Sequence, residues 1–198
     1  MKQEERREQT TRLLLQTTKQ LIREKGCASL TLKDIMERAE LSKGAIFHYV
    51  KSKDELFAWV LGERLEETNQ RFMDEVGQAE RNFEGPMGSI AENFHTLEDA
   101  EDVTNKVFVY LLGKEEEPAV AEALNRFYER SVQLSRGWIE AGQRHGVIPE
   151  TVDADRTAEL FVLISFGLRV RSSFSLLDAS FTAKQFTAFI ADLLRSKR

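Results

Sequence analysis

The stretch LSKGAIFHYVKSKDEL (residues 41–56) concentrates basic and aromatic side chains in a short span. Lys43 can bind a phosphate or a base edge, and the His48 imidazole can donate or accept a hydrogen bond. Phe47 needs an apolar partner if it faces solvent. Few side chains are suited to a core: Leu41, Ile46 and Val50. This chemistry is typical of a surface that recognises a nucleic acid.

Two short helices with a tight link are predicted around this stretch. Thr31 and Asp34 have the spacing of a capping box, and apolar residues recur at helical spacing to residue 39. Ser42 is a good N-cap for the next helix, which is expected to reach about residue 50. This is the helix-turn-helix arrangement, whose second helix enters the major groove of DNA. The side chains left to face the groove are Lys43, Gly44, Ala45, Phe47 and His48.

The charge distribution favours the same reading, although the net charge of −5 does not. Residues 1–56 hold 12 Lys and Arg against 9 Asp and Glu, and the remainder holds 16 against 24. We call residues 1–56 the head and the remainder the body. A basic head joined to an acidic body is expected of a protein that binds nucleic acid through one end. Compositional scatter is the alternative explanation.

Helical patterns continue to the end of the chain, and no segment alternates as a strand does. We predict an all-α protein of about nine helices in two parts. Residues 1–55 form a three-helix DNA-binding domain, and residues 56–198 form a larger helical effector-binding and dimerisation domain. The predicted helices span 5–25, 32–39, 42–50, 53–79, 87–97, 103–113, 118–145, 155–172 and 181–195.

The composition argues against other classes of protein. No apolar run reaches the roughly 18 residues of a membrane span, and the charged N-terminus lacks the apolar segment of a secretory signal. The single Cys27 suggests a cytoplasmic protein. His48, His95 and His145 lack metal-ligand spacing, and no glycine-rich phosphate loop is present. We expect no enzyme activity, no metal and no cofactor.

Three segments resemble the TetR family of bacterial transcriptional regulators: TLKDI (31–35), Ala39, and LSKGAIFHYVKSK (41–53) with Leu56 beyond. The resemblance covers about residues 10–60. It implies that Thr31 contacts a phosphate, that Ser42 joins the groove-facing set, and that Tyr49 and Lys53 clamp a phosphate. Packing of Tyr49 against the first helix is the alternative for that residue.

Two residues depart from the family pattern. Glu40 stands where the family usually has glycine, and Val50 replaces the usual phenylalanine. If residue 40 needs a positive φ, glutamate there costs on the order of 1 kcal/mol. Neither departure excludes the fold.

The apolar C-terminal helices predict a homodimer, because one face can serve the core and another a second subunit. The resemblance implies a four-helix bundle between subunits, and a buried hairpin in a monomer is the alternative. The expected interface residues are Phe161, Ile164, Leu168, Phe186, Phe189, Ile190 and Leu193. The middle helices supply candidate effector contacts, which could equally be ordinary core: Phe94, Tyr110, Phe127, Tyr128, Trp138 and Phe166.

These patterns together predict a regulator, expected to be a repressor, that binds a palindromic operator as a dimer and is released by a small-molecule effector. The alternative is a helical ligand-binding or scaffolding protein without DNA binding. The salt dependence of duplex binding separates the two, since phosphate contacts release counterions.

Overall fold

The computed structural model describes residues 3–78, 88, 94–174 and 179–195. Across these residues it contains helices and turns but no strand, so the all-α prediction is confirmed. The helices are α1 (Gln3–Ser29), α2 (Leu32–Arg38), α3 (Lys43–Phe47), α4 (Lys53–Gln78), α5 (Val103–Leu112), α6 (Pro118–Arg144), α7 (Ala154–Arg171) and α8 (Ala183–Arg195). The predicted 87–97 helix lies mostly outside the described residues, and its described end, His95–Glu98, is a 3-10 turn.

Local side-chain caps set the ends of the first helices. Gly26 interrupts α1 with a φ of 74°, a left-handed conformation that glycine adopts without a Cβ penalty. The capping box between Thr31 and Asp34 is formed, and the Ser42 hydroxyl accepts from the Ala45 amide at 3.2 Å. α3 ends at Phe47, short of the predicted residue 50.

Glu40, in the turn between α2 and α3, has a φ of 53°. Left-handed backbone is unfavourable for a residue with a Cβ, so the strain that is expected of glutamate at a positive φ is present here. The turn is nevertheless closed, because the Leu41 amide donates to the Met36 carbonyl at 3.0 Å. The chain therefore stores a small strain next to α3.

Glu40→Gly is expected to stabilise the protein by about 1 kcal/mol, because glycine removes the left-handed penalty. The melting temperature should rise by about 2–4 °C in a protein of this size. The matched control is Glu37→Gly inside α2, which should lower stability by a similar amount. Stability is measured by thermal unfolding. If both variants lose stability by the same amount, the assignment of strain to residue 40 is wrong.

Two hydrophobic cores organise the helices. The first joins the N-terminal helices to α5 and the start of α6, with Leu14, Ile35 and Ile46 in the same cluster as Phe108 and Phe127. α5 packs against both α1 and α4. This core crosses the predicted domain boundary at residue 55, so the head and the first half of the body are packed as one unit.

The second core lies among α6, α7 and α8, and it contains Phe161, Leu168, Phe186 and Ile190. These four side chains are buried within one chain. Their assignment to a subunit interface stays a prediction, and their burial within one chain does not favour it. Periodicity showed that they are covered, but could not show which helix covers them. Among the described helices, none combines the length and the apolar character needed to cross a bilayer.

Candidate nucleic-acid interface and helical cavity

α3 is held by one face and open on the other. Ile46 is fully buried and Val50 is 1% exposed, so the core fixes the helix through this side. On the other side Lys43 and His48 are exposed, and Phe47 keeps 46% of its surface in solvent. The Lys43 ammonium lies 6.0 Å from the centre of the Phe47 ring. The helix therefore presents a cation and a half-exposed apolar ring outward.

The residues at the N-terminal turn of α3 are small. A Cβ built on Gly44 would meet no atom of the chain within 4 Å, so internal packing does not require glycine there. Ser42 is exposed and Ala45 is half-buried. Tyr49 is half-buried, and its ring packs on the first core. The surface around Gly44 can approach another molecule closely.

Two ion pairs brace α2 against α1. Arg38 donates to both carboxylate oxygens of Glu24, at 2.9 and 2.8 Å, and this hydrogen-bonded pairing lowers the pKa of Glu24. Lys25 donates to Asp34 at 2.5 Å. Hydrogen bonds from Lys25, then from the Thr31 side chain and amide, lower the pKa of Asp34. These contacts fix the orientation of the helix that leads into α3.

Thr31 is exposed, yet its hydroxyl is already used by the cap. It donates to the Asp34 carboxylate at 2.7 Å and accepts from the Asp34 amide at 3.2 Å. The same carboxylate accepts from the Thr31 amide at 2.9 Å. Donation from this hydroxyl to a phosphate would require it to leave Asp34.

Lys53 points into the protein, and this differs from the phosphate contact that the resemblance implies. Its ammonium donates to the carbonyl oxygens of Cys27, Ala28 and Leu30 at 2.9, 3.1 and 2.8 Å. It also lies 5.1 Å from the centre of the Tyr110 ring. An ammonium has three donors, and these three carbonyls use them. In this structure Lys53 ties the start of α4 to the α1–α2 connection, and it is not available to a phosphate.

Lys53→Met should destabilise the chain by about 2 kcal/mol, because three carbonyls lose a charged donor. The melting temperature should fall by about 4–8 °C. The neighbouring Lys51 is exposed, and its change to Met should move stability by no more than about 0.5 kcal/mol. Thermal melts in which both variants match the parent would contradict the structural role of Lys53.

Among the described residues, the candidates for catalysis or metal binding are Cys27 and the groups that could bind a metal ion. Burial raises the pKa of the Cys27 thiol to about 11, so the reactive thiolate is scarce at neutral pH. Within the described ranges, no group of three or more His, Cys, Asp or Glu side chains is placed to hold a metal ion.

A cavity of about 100 Å³ lies between α4, α6, α7 and the 3-10 turn. Its walls are mainly aromatic and aliphatic, and four predicted effector contacts line it: Phe94, Phe127, Trp138 and Phe166. The other two do not. Tyr110 packs edge-on against Phe57, and the Tyr128 hydroxyl donates to Glu159 at 3.0 Å on the surface. Tyr110 and Tyr128 therefore do not line this cavity, and their role as effector contacts stays a prediction.

Two arginines, Arg64 of α4 and Arg169 of α7, also line this cavity. Aromatic content did not predict them. For Arg169, the sequence did contain an indication: this cation lies inside the apolar run FVLISFGLRV (residues 161–170). A charged side chain is costly in such surroundings unless another group compensates its charge.

Four exposed apolar side chains, called here the exposed apolar surface, are Leu163 of α7, Phe189 of α8, and Phe174 and Phe181 just outside these two helices. These side chains are, in that order, 56%, 41%, 57% and 39% exposed. Of the predicted interface residues, Phe189 belongs to this surface, and Ile164 and Leu193 are half-buried. Leu163 was missed because the apolar α7 pattern did not distinguish its two faces.

The N-terminal helices are similar to a known protein family. Residues 14–60 match the model of a family described as bacterial regulatory proteins, tetR family. The matched segment includes α2, α3 and the turn at Glu40. No curated protein sequence matches the chain significantly.

Solved structures share the fold over nearly the whole chain. Salmonella enterica GusR is 22% identical, covers 94% of this chain and 96% of its own, and superposes with a TM-score of 0.66. A TetR transcription regulator from Haloarcula marismortui is 20% identical, with coverages of 94% and 97% and a TM-score of 0.69. Reduced Escherichia coli NemR is 17% identical, with coverages of 96% and 100% and a TM-score of 0.69.

Proposed function

From a chain whose residues 14–60 match the tetR family and whose fold is that of TetR-family regulators, we propose a DNA-binding transcriptional regulator. It acts in the cytoplasm as a homodimer on a palindromic operator, and a small-molecule effector releases it, so that it represses transcription when the effector is absent. The function is non-enzymatic.

The observation that carries this proposal is the open face of α3. Contact between an apolar phenylalanine ring and water is unfavourable, so covering the ring by another molecule lowers the free energy. A thymine methyl group is a suitable partner for Phe47. Lys43 and His48 lie beside it as hydrogen-bonding groups. Gly44 leaves room for the close approach that a groove requires.

The candidate contacts divide by what they can recognise. Lys43, Phe47 and His48 can reach base edges, although Lys43 could instead bind a phosphate. Ser42, Ala45 and Tyr49 border the groove-facing surface and can help to position the helix. Thr31 can reach a phosphate only after its hydroxyl leaves Asp34. We do not assign Lys53 to a phosphate, because its ammonium is used internally.

A dimer follows from the size of the reading head. One five-residue helix makes few base contacts, and two heads one DNA turn apart, about 34–36 Å, would read a palindrome. The exposed apolar surface on α7 and α8 offers the area for subunit contact, through Leu163 and Phe189 in particular. We propose that it is the dimer interface.

Effector release would use the path from the cavity to the head. Arg64 lines the cavity on the same helix, α4, that begins with Lys53 at the head, about 17 Å away at helical rise. Lys19 of α1 also donates to Glu63 of α4 at 2.6 Å. Because the head and α4 share a core, a shift of α4 would move the head as a body. Release requires the effector to favour the shifted state by several kcal/mol.

Selection of bound duplexes from a random pool tests the proposal. We expect a palindromic sequence to be enriched, with an affinity that falls steeply as salt rises because phosphate contacts release counterions. Gly44→Leu is the matched variant, because a Cβ at this position meets no atom within 4 Å, whereas a leucine side chain would obstruct approach to the groove.

The parent should select a palindrome and the Gly44→Leu variant should select none, while both melt at similar temperatures. If the parent enriches no sequence, or the variant enriches the same one, the proposed interface is wrong. A chain that binds small molecules but no duplex would then fit the helical ligand-binding alternative.

A further inference from the structure

Arg169 is a buried cation in the wall of the helical cavity. Its side chain is 8% exposed, although α7 is otherwise mostly apolar around it. One guanidinium nitrogen donates to the Asn105 side-chain oxygen at 2.5 Å. A guanidinium has five N–H donors, and in the described part of the chain no carboxylate is hydrogen-bonded to that of Arg169. Such a group needs an anion to offset its desolvation.

Asn105 holds Arg169 in place. It is 1% exposed, and its amide nitrogen donates to the carbonyls of Thr96, Leu97 and Asp99 at 2.7, 3.2 and 2.9 Å. Its donors are therefore committed to the 3-10 turn, and its oxygen faces Arg169. The asparagine orients the guanidinium without neutralising it.

The charges around Arg169 do not cancel. Burial lowers the pKa of Arg169 to about 10, Asp102 opposes that effect from a distance, and Arg64 adds to it. Asp102 is used as the N-cap of α5, where it accepts from the Asn105 amide at 3.0 Å. Arg64 donates to the Thr96 hydroxyl at 2.7 Å and also lines the cavity. Arg169 therefore remains protonated at neutral pH, and the nearby guanidinium of Arg64 repels it.

The other side chains that line the cavity limit the size and the chemistry of a ligand. Among the described lining residues there is no Asp or Glu, and the hydroxyls come from Thr68, Thr96, Ser131, Ser135 and Ser165. The rings of Phe127 and Phe166 stack at 5.2 Å and form an apolar wall. A cavity of about 100 Å³ is smaller than the roughly 150 Å³ cavity that accommodates benzene in another protein, so only a small body fits.

We propose that this cavity binds a small organic carboxylate, with its anionic group paired to Arg169 and Arg64 and its apolar body against Phe127 and Phe166. A planar carboxylate can accept two parallel hydrogen bonds from one guanidinium. The inference rests on the proposed function for the role of that ligand as the effector. Binding itself is independent of DNA.

Calorimetry and thermal melting with the full-length chain test the proposal directly. The probes are butyrate and propionate, each paired with its neutral amide, and inorganic phosphate. We expect at least one carboxylate to bind and raise the melting temperature by about 2 °C or more at saturation, with its amide much weaker. Arg169→Gln should raise the Kd of that carboxylate by about 30-fold or more, because one partner of a buried charge pair is lost.

Arg126→Gln is the matched control, since Arg126 is an exposed arginine on α6 paired with Glu122. It should bind the carboxylate like the parent. If Arg169→Gln fails to fold, Arg64→Gln provides the second variant and should also weaken binding. Equal binding of acid and amide, no binding of either acid, preference for phosphate, or unchanged binding in both cavity variants would each overturn the proposal. These assays contain no DNA, so their failure is distinguishable from a failure of duplex binding.

Discussion

Lys43→Ala is expected to weaken operator binding by at least about 30-fold. A base contact contributes about 1–3 kcal/mol, and a dimer loses it twice. Lys43 stands exposed at the first position of α3, where its ammonium lies beside the exposed ring of Phe47, so its removal should leave the buried core of the fold intact. Affinity is measured by fluorescence anisotropy on the selected duplex over a range of salt concentrations.

Lys184→Ala is the control for Lys43, because Lys184 is an exposed lysine on α8, outside the proposed interface with DNA. It should bind like the parent. The same titration separates the two roles left open for Lys43. A base reader changes the preferred operator when removed, whereas a phosphate contact weakens all duplexes and reduces the salt slope by about 1 per contact. Parental affinity in Lys43→Ala would mean that α3 does not bind DNA as proposed.

The double variant Leu163→Glu with Phe189→Glu is expected to be a monomer at micromolar concentration. Both side chains are apolar and exposed in the single chain, and opposed carboxylates would repel across a two-fold interface. Operator affinity should fall by about 100-fold or more, because each head then binds alone. Sedimentation velocity gives the mass, and anisotropy gives the affinity.

Leu13→Glu is the control for the dimer prediction. Leu13 is 41% exposed on α1, the same fraction as Phe189 on α8. This variant should keep the parental mass, which would show that a new carboxylate on any apolar surface is not enough to dissociate the protein. A dimeric double variant, or a monomeric Leu13→Glu, would contradict the assignment of the interface to α7 and α8.

The features that the sequence predicted well are those that depend on neighbouring residues. Ser42 caps α3 and Thr31 pairs with Asp34 because each cap closes within three residues. The positive φ of Glu40 agrees with the glycine that the resemblance places at this position. Exposure of Phe47 follows from helical spacing once Ile46 is assigned to the core.

The features that the sequence did not predict depend on distant parts of the chain. Lys53 turns inward because the carbonyls that follow Gly26 are brought beside the start of α4. Phe161 and Phe186 cover each other across α7 and α8, so both are buried without a second subunit. Hydrophobic periodicity identifies a covered face but not the segment that covers it.

The cavity illustrates the same limit. Aromatic residues on four different elements were predicted to line one site, but Tyr110 faces Phe57 and the head instead. Arg169 could be assigned to the cavity only after Asn105 and the 3-10 turn were seen to orient it. A buried cation in an apolar helix indicates function, but its partner cannot be identified from spacing.

Methylation protection on the selected operator tests the central claim most directly, because dimethyl sulfate reports the two grooves separately. Guanine N7 lies in the major groove and adenine N3 in the minor groove. If α3 enters the major groove, guanines in both half-sites should be protected at N7, with the two centres about one turn apart. Protection should be lost with Gly44→Leu. Unprotected N7 positions on a duplex that the protein occupies, or protection confined to adenine N3, would contradict the account.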